Sequence, residues 1–219
     1  MADFHQNNDI QYGFDIASFR AIVAQAGILK PTKWMFSTTV PAGLNSSFAT
    51  NAARNIQYWA SSATVPGATL VTHDTMRYGY GVAVKRPYSP AFGPMQLGFM
   101  SDGLGASWTF FKQWINLIIN FDNSQGITSS GSFVNGNARR VYEVAYADDY
   151  TVDCVVSAFV DSGEEILRIV LRDAYPLAVS DMRMDWGDNS GVARFNVSMF
   201  FTDWYQVVLP MQEALGANQ

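Results

Sequence analysis

The sequence predicts a mainly β protein: an antiparallel β-sandwich or barrel with one major helix packed on it. Three observations carry this. Runs of alternating apolar and polar residues recur, as in Met95, Leu97 and Phe99 set against Gln96 and Gly98, the signature of a half-buried strand. Pro and Gly punctuate the ends of extended runs. Only one long stretch, Ser107–Phe121, is strongly apolar at helical spacing. Of 219 residues, 48% are hydrophobic and 15% charged, against a usual charged share of about 25%. That balance excludes an intrinsically disordered chain and leaves ample length for a core.

Taken in order, residues 1–14 are polar with scattered aromatics and read as an N-terminal arm. A short helix follows, capped by Asp15 or Ser18 and closed by Gly27, with Ile16, Phe19, Val23 and Ala26 on one face. Pro31 breaks the chain, and Lys33–Val40 reads as a strand. Asn45–Asn55 is polar and small and reads as a loop, and Ile56–Val65 as the second strand. Leu70–Tyr78 and Tyr80–Arg86 flank Gly79 and Gly81 as a strand pair or one bent strand. Pro87, Pro90 and Pro94 then predict a loop, because proline donates no ladder hydrogen bond. Met95–Phe99 is the next strand.

In the helix Ser107–Phe121, Thr109, Gln113, Asn116 and Asn120 form a polar stripe, and Trp108, Phe111, Trp114, Ile115, Ile118 and Ile119 cover the rest. So wide an apolar sector must be nearly surrounded, by the sheet or by a neighbouring chain. Residues 122–138 are rich in Asn, Ser and Gly and read as a long loop or insertion. Beyond them comes a meander of strands. Val152, Cys154, Val156, Ala158 and Val160 share one face, and Leu167, Ile169 and Leu171 another. Met182, Met184 and Trp186 alternate with Arg183 and Asp185, and Gly187–Gly191 turns the chain into the run Ala193–Phe201. Residues 210–219 read as a C-terminal tail. The count is seven or eight strands and two helices. No composition break marks a second domain, so residues 15–209 are expected to form one.

Net charge is −5, unevenly spread. Residues 1–121 hold eight Lys/Arg against five Asp, and residues 122–219 hold six Arg against fourteen Asp and Glu. Such halves suit head-to-tail contact between copies. An acidic total argues against nucleic acid as a tightly held ligand, since that affinity comes from neutralising phosphates. Cys154 is the single cysteine, so no disulfide framework or thiolate zinc site is on offer. The N-terminus lacks a signal-peptide pattern, and no stretch nears the ~18 apolar residues of a membrane span. A soluble protein made in a cytoplasm is expected.

Catalytic constellations are thin. His5 and His73 lie far apart, and His73 and Asp74, adjacent on a strand, point to opposite faces. Asp148, Asp149, Glu164 and Glu165 read as solvated turn carboxylates, Asp102 as a helix cap, and Cys154 as a small core side chain. No phosphate-binding loop or nucleophile-elbow motif is present. The expectation is no enzyme, no cofactor and no metal. Six Trp, ten Tyr and fifteen Phe exceed what a modest core requires, and aromatics are enriched where subunits meet. They would equally line the pocket of a small-ligand-binding β-barrel. A hydrolase using a pair among the four carboxylates ranks last.

Several segments resemble one family. Arg77-Tyr78-Gly79-Tyr80-Gly81, Lys85-Arg86-Pro87-Tyr88, Met95-Gln96-Leu97-Gly98-Phe99 and Phe110-Phe111-Lys112-Gln113-Trp114-Ile115-Asn116 follow in the order seen in tail tube proteins of T-even-like contractile phages. Thr64-Val65-Pro66-Gly67 is similar to the strand end before that family's long hairpin. Met182-Arg183-Met184-Asp185-Trp186 and Phe195–Trp204 are similar to its closing hairpin. The resemblance spans about residues 15–205.

It implies hexameric rings whose strands extend between subunits into one continuous barrel, and rings stacked into a hollow tube. The same fold serves type VI secretion tubes and baseplate tube proteins. The implied partners are further copies of the chain, a contractile sheath, baseplate and terminator proteins, and double-stranded DNA in passage. The implied location is the virion tail, assembled in the host cytoplasm. The arm, the Asn45–Asn55 loop and residues 122–138 exceed a minimal tube protein, which leaves baseplate-proximal and terminator roles open beside the main tube. Joined strands remove exposed sheet edges, and a repeated head-to-tail contact builds an open stack. The hairpin Leu70–Arg86 is expected to reach a neighbour, making Arg77, Tyr78, Tyr80, Lys85, Arg86 and Trp114 interface candidates. Asp153, Asp185 and Asp188 are candidates for an acidic lumen that repels phosphate.

Overall fold

The computed structural model describes residues 16–26, 29–44, 46–76, 79, 81–119, 121, 144–161, 163–187 and 191–207. The arm 1–14, the insertion 122–138 and the tail 210–219 lie outside the described residues. Helix α1 (Ile16–Ala26) leads into strand β1 (Trp34–Thr38), as expected.

The next element corrects the sequence reading. After a single 3₁₀ turn at Ala42–Leu44, helix α2 (Ser47–Trp59) occupies most of the expected loop. Ser46 caps it, its Oγ accepting the Ala49 N–H at 3.1 Å. The buried stripe is Ala49, Ala52, Ala53 and Ile56, at helical spacing but built mostly of small side chains. The strand expected over Ile56–Val65 shrinks to β2 (Ala60–Ala63).

Strands β3 (Thr69–Thr75) and β4 (Val84–Ala91) pair antiparallel as a two-stranded sheet of their own. Pro87 and Pro90, expected in a loop, lie within β4. The register shifts beside Thr72 and Pro87, and among the described residues β4 has no second partner, so bulge and open edge absorb the missing donors. Gly79 and Gly81, between these strands, take φ of +75° and +101°, which only glycine adopts cheaply.

Strand β5 (Met95–Met100) buries Met95, Leu97 and Phe99 as its alternation predicts. Helix α3 (Ala106–Ile118) stops three residues short of Phe121. Asp102 serves its first turn, one oxygen accepting from both the N–H and the hydroxyl of Ser107 at 3.1 Å. Asn116, expected on the polar stripe, is buried, and its Oδ1 accepts the Phe121 N–H at 3.0 Å. The buried amide thus ties down the chain beyond the helix end.

The one-turn helix α4 (Ala147–Tyr150) carries Asp148 and Asp149 in its first turn. Strand β6 (Val152–Phe159) follows, then β7 (Glu165–Val179), a single 15-residue strand. Strands β8 (Arg194–Phe200) and β9 (Asp203–Val207) end the described chain. The expected strand at Met182–Trp186 does not form. Asp185 instead accepts the Gly187 N–H at 2.9 Å and pairs with Arg183 at 3.0 Å, bonds that favour a turn over a ladder.

The long β7 joins two four-strand layers. Its first half pairs with β6 and β9, and β1 extends that layer beyond β6. Its second half pairs with β8, followed by β5 and β2. All pairs are antiparallel. Among the described residues no closed barrel forms, since β1, β2 and β9 each have one partner. The core lies between the layers and α2 and α3, where Phe99 meets Phe36, Phe111 and Phe195 at 6.2, 5.0 and 5.6 Å between ring centres. Cys154 is buried there as expected. Burial is the main reason its thiol is pushed up to about 12, and its Sγ stands 3.3 Å from Thr38 Oγ1.

Candidate functional site

Candidate contact surfaces arise where backbone or apolar side chains lack cover. The β3–β4 hairpin is the plainest. Its cross-strand partners His73 and Arg86 share one face, Asp74 and Lys85 the other, and all four are exposed. The His73 ring lies 5.8 Å from that of Tyr88. Leu70 and Tyr88 are 62% and 66% exposed, and Val82 and Val84 are open too. A lone two-stranded hairpin is marginal in water, and clustered exposed apolar groups mark a contact surface. Lys85 and Arg86 sit at the turn end of β4. Arg77, Tyr78 and Tyr80 lie outside the described residues.

Trp114 is not on a surface. It is 0% exposed, its ring 5.6 Å from Phe110 and 6.3 Å from Phe111, and its indole N–H donates to the Tyr150 carbonyl at 2.7 Å. The sheet and α2 cover this side of the wide apolar sector.

The second surface is open backbone. Among the described residues of the layer β7–β8–β5–β2, Tyr175–Val179 of β7 pair on one side only, with β8, and β2 pairs only with β5. Strand direction alternates across these four strands. A copy placed beside β2 would present the free side of its β7 in the antiparallel sense.

The open faces of the two layers differ in charge. On the first, the Arg168 guanidinium binds Glu165 and holds its carboxyl below the usual carboxylate range. Arg172 grips Asp203 through two bonds of 2.6 and 2.5 Å and lies 5.7 Å from the Tyr205 ring centre. The lumen candidate Asp153 stands on this face, its Oδ1 accepting the Asp173 N–H at 3.4 Å. On the second layer, the open face carries Gln96, Gly98, Asn196 and Ser198, with Arg194 at its end. The Ser198 hydroxyl donates to Gln96 Oε1 at 2.8 Å, and the Ser61 hydroxyl to the Gly98 carbonyl at 3.0 Å. A Cβ at Gly98 would collide with Ser62 Oγ, so glycine lets β2 and β5 close up. These neutral residues were missed in the sequence, although polar positions opposite Met95, Leu97, Val197 and Met199 marked them. Asp185 lies in the turn after β7, next to a fully exposed Trp186, and Asp188 falls outside the described residues.

At one end of the molecule Asp161, in the turn between β6 and β7, pairs with Lys30 at 2.5 Å and Lys33 at 3.0 Å. The bonds from Lys30 and then Lys33 hold its carboxyl below the ordinary value. Among the described residues no three His, Cys, Asp or Glu converge as a metal site, and no helix is long and apolar enough to cross a membrane.

A family model described as phage tail tube protein matches residues 28–207. No curated protein sequence matches the chain. Among solved structures, a chain of the sheath-tube complex of the extracellular contractile injection system PVC, in its extended state, aligns with a TM-score of 0.51 at 12% identity. That alignment covers 90% of this chain and 100% of that one. A chain of the PVC sheath/tube terminator gives 0.52 at 13% identity, over 83% and 97%. The tube terminating cap of the anti-feeding prophage gives 0.50 at 12%, over 83% and 92%. At such identity these likenesses establish the shared fold, while the family match reaches over the first layer, the hairpin and the second layer alike. The chain belongs to the phage tail tube protein family and is a tube subunit of a phage tail.

Proposed function

We propose that six copies join edge to edge into a ring and that rings stack into the main tube of a contractile tail, a conduit for double-stranded DNA. The observation that carries this is one layer with two free edges of compatible direction, β2 and the second half of β7. Pairing β2 of one copy with β7 of the next satisfies both rows of backbone groups. It leaves the face of Gln96, Asn196 and Ser198 lining the bore. The Gln96 amide and the Ser198 hydroxyl bond to each other, and among the described residues of this face only Arg194, at its end, offers a phosphate backbone a cation. In this reading Asp153 faces outward, toward the sheath, and Asp185 lies at a ring face. The hairpin, with Lys85, Arg86 and its turn residues Arg77, Tyr78 and Tyr80, reaches over a neighbouring copy. Sheath, baseplate and terminator proteins are the remaining partners, and assembly takes place in the host cytoplasm.

The test is electron microscopy of the purified chain beside an Ala63→Pro variant. Thr64 N–H bonds to Gln96 O, so the Ala63 N–H points away from β5 toward the free edge. Wild-type protein should form rings and open stacks, and the variant should remain folded but unassembled. Rings formed equally well by Ala63→Pro would overturn the edge assignment. Single rings that never stack would favour the terminator or baseplate-proximal role.

A further inference from the structure

Met182, just past β7, packs against the core, but Trp186, four residues on, is 102% exposed. Its place in the chain is nevertheless held. Asp185 pairs with Arg183 at 3.0 Å and accepts the Gly187 N–H at 2.9 Å. A large aromatic held out in water is the residue type that anchors interfaces, and a segment already tied down loses little further freedom on binding.

A cavity of about 190 Å³ opens between α2 and the turn from β5 into α3. Phe48, Trp59 and Leu104 supply its apolar wall, and Asn51, Asn55 and Asp102 its polar one. On α2 the spacing 48, 51, 55 and 59 makes one stripe, beside the stripe that meets the core. Leu104 is 93% exposed. The cavity is smaller than the roughly 300–1,000 Å³ of a small-molecule site and suits one side chain. An indole has an apolar body and one N–H that needs an acceptor. Asp102 Oδ1 is taken by Ser107, and among the described residues nothing bonds to Oδ2, which can accept that N–H.

Strand direction brings the two features together across the joint between copies. β7 runs toward the end of its layer at which β2 begins. Val179 lies level with Ala63 through Val197 and Leu97. The Ser180 N–H bonds to the Asn196 carbonyl, level with Ser62 through Gly98. Beyond that point the chain heads for the level of Ala60 and Trp59. With β2 of one copy beside β7 of the next, the two strands are about 4.8 Å apart. Six residue steps from Ser180 to Trp186 reach up to about 20 Å. Within one copy β8 and β5 stand between β7 and the cavity, and Trp186 remains outside it. Charge agrees with the pairing of copies. Arg54 is the one charge on α2, and Asp181, Arg183 and Asp185 make the incoming segment net acidic.

We propose that Trp186 of each subunit inserts into the α2–Leu104 cavity of the copy whose β2 joins its β7, locking the ring joint from one end. The proposal rests on the edge-joined ring above. The test is a Trp186→Cys, Asn55→Cys double variant in the full chain, treated with bismaleimidoethane, whose span stands in for the indole. The only native thiol, Cys154, is buried and takes no part. Rings and tubes alike should give covalent products of up to six subunits and none larger, and either single variant should give none. As a second measurement, Trp186→Ala should leave the melting temperature of the unassembled chain within about 2 °C of wild type. It should raise the concentration needed for ring formation about tenfold or more. Products beyond six subunits would put Trp186 in the adjacent ring, and a bridge within one chain would put it in its own cavity. Either result, or no product, or Trp186→Ala rings that form as the wild type does, refutes the insertion alone. A wild-type chain that forms no rings refutes the edge-joined reading itself.

Discussion

Replacing Trp114 separates core from interface, the two roles open to this residue when α3 is read as a sequence. The side chain is fully buried, packs on Phe110 and Phe111, and bonds to the Tyr150 carbonyl at 2.7 Å. Truncating a buried Trp to Ala costs about 3–5 kcal/mol, from lost transfer energy plus the cavity left behind. For a chain of this size each kcal/mol shifts the melting temperature by roughly 2–4 °C, so Trp114→Ala should lower it by about 6–20 °C. Trp114→Phe keeps an aromatic ring in the slot and removes the indole bond. Tyr150 is only half-buried, so water partly restores its carbonyl, and the loss should be about 1–2 kcal/mol. Scanning calorimetry of unassembled protein measures both. An alanine variant that melts within about 2 °C of wild type yet fails to assemble would refute the core role.

Other outcomes follow from the same physics. Charge reversal Arg86→Glu on the exposed hairpin should block tube assembly while leaving the melting temperature within about 2 °C, because an exposed position carries little stability; unaltered assembly sinks the hairpin contact. Asp161 has a lowered carboxyl pKa in the folded chain. Its tether is therefore complete above the ordinary carboxylate pKa and is lost as pH falls through the depressed folded value. NMR shifts of residues 29–34 should move in that acid window for wild type and not for Asp161→Asn. Cys154, with its thiol near 12, should resist thiol reagents in the native state and react at once on denaturation, as mass spectrometry would record.

How much of this was open to reading in the residues depended on where the signal lived. Period-two alternation in β5 and β8 and the apolar breadth of α3 are local patterns, and the structure keeps them. Helix α2 escaped because its overall composition is polar and small, which reads as a loop, although its three buried alanines and one isoleucine segregate from the polar residues at helical spacing. Strand β4 escaped because proline normally ends a ladder, and only a bulge with an open edge makes Pro87 and Pro90 tolerable. Alternation misled at Met182–Trp186, where the pattern had no strand to pair with.

By itself, then, the chain's residues determined a charge-poor, strand-rich protein, the family it resembles, and the alternating faces of its clearest strands. The strands and their faces follow from propensity and spacing, which act over a few residues, and the resemblance rests on the order of short motifs along the chain. The tertiary structure alone decided that one 15-residue strand is shared by two layers, that Trp114 is core, and that the charged open face is separate from the neutral one. Which strands become neighbours depends on closing long loops against a common core, and no local pattern encodes that choice. Among the described residues the same pairing leaves β2 and the end of β7 open, the two edges proposed to join neighbouring subunits.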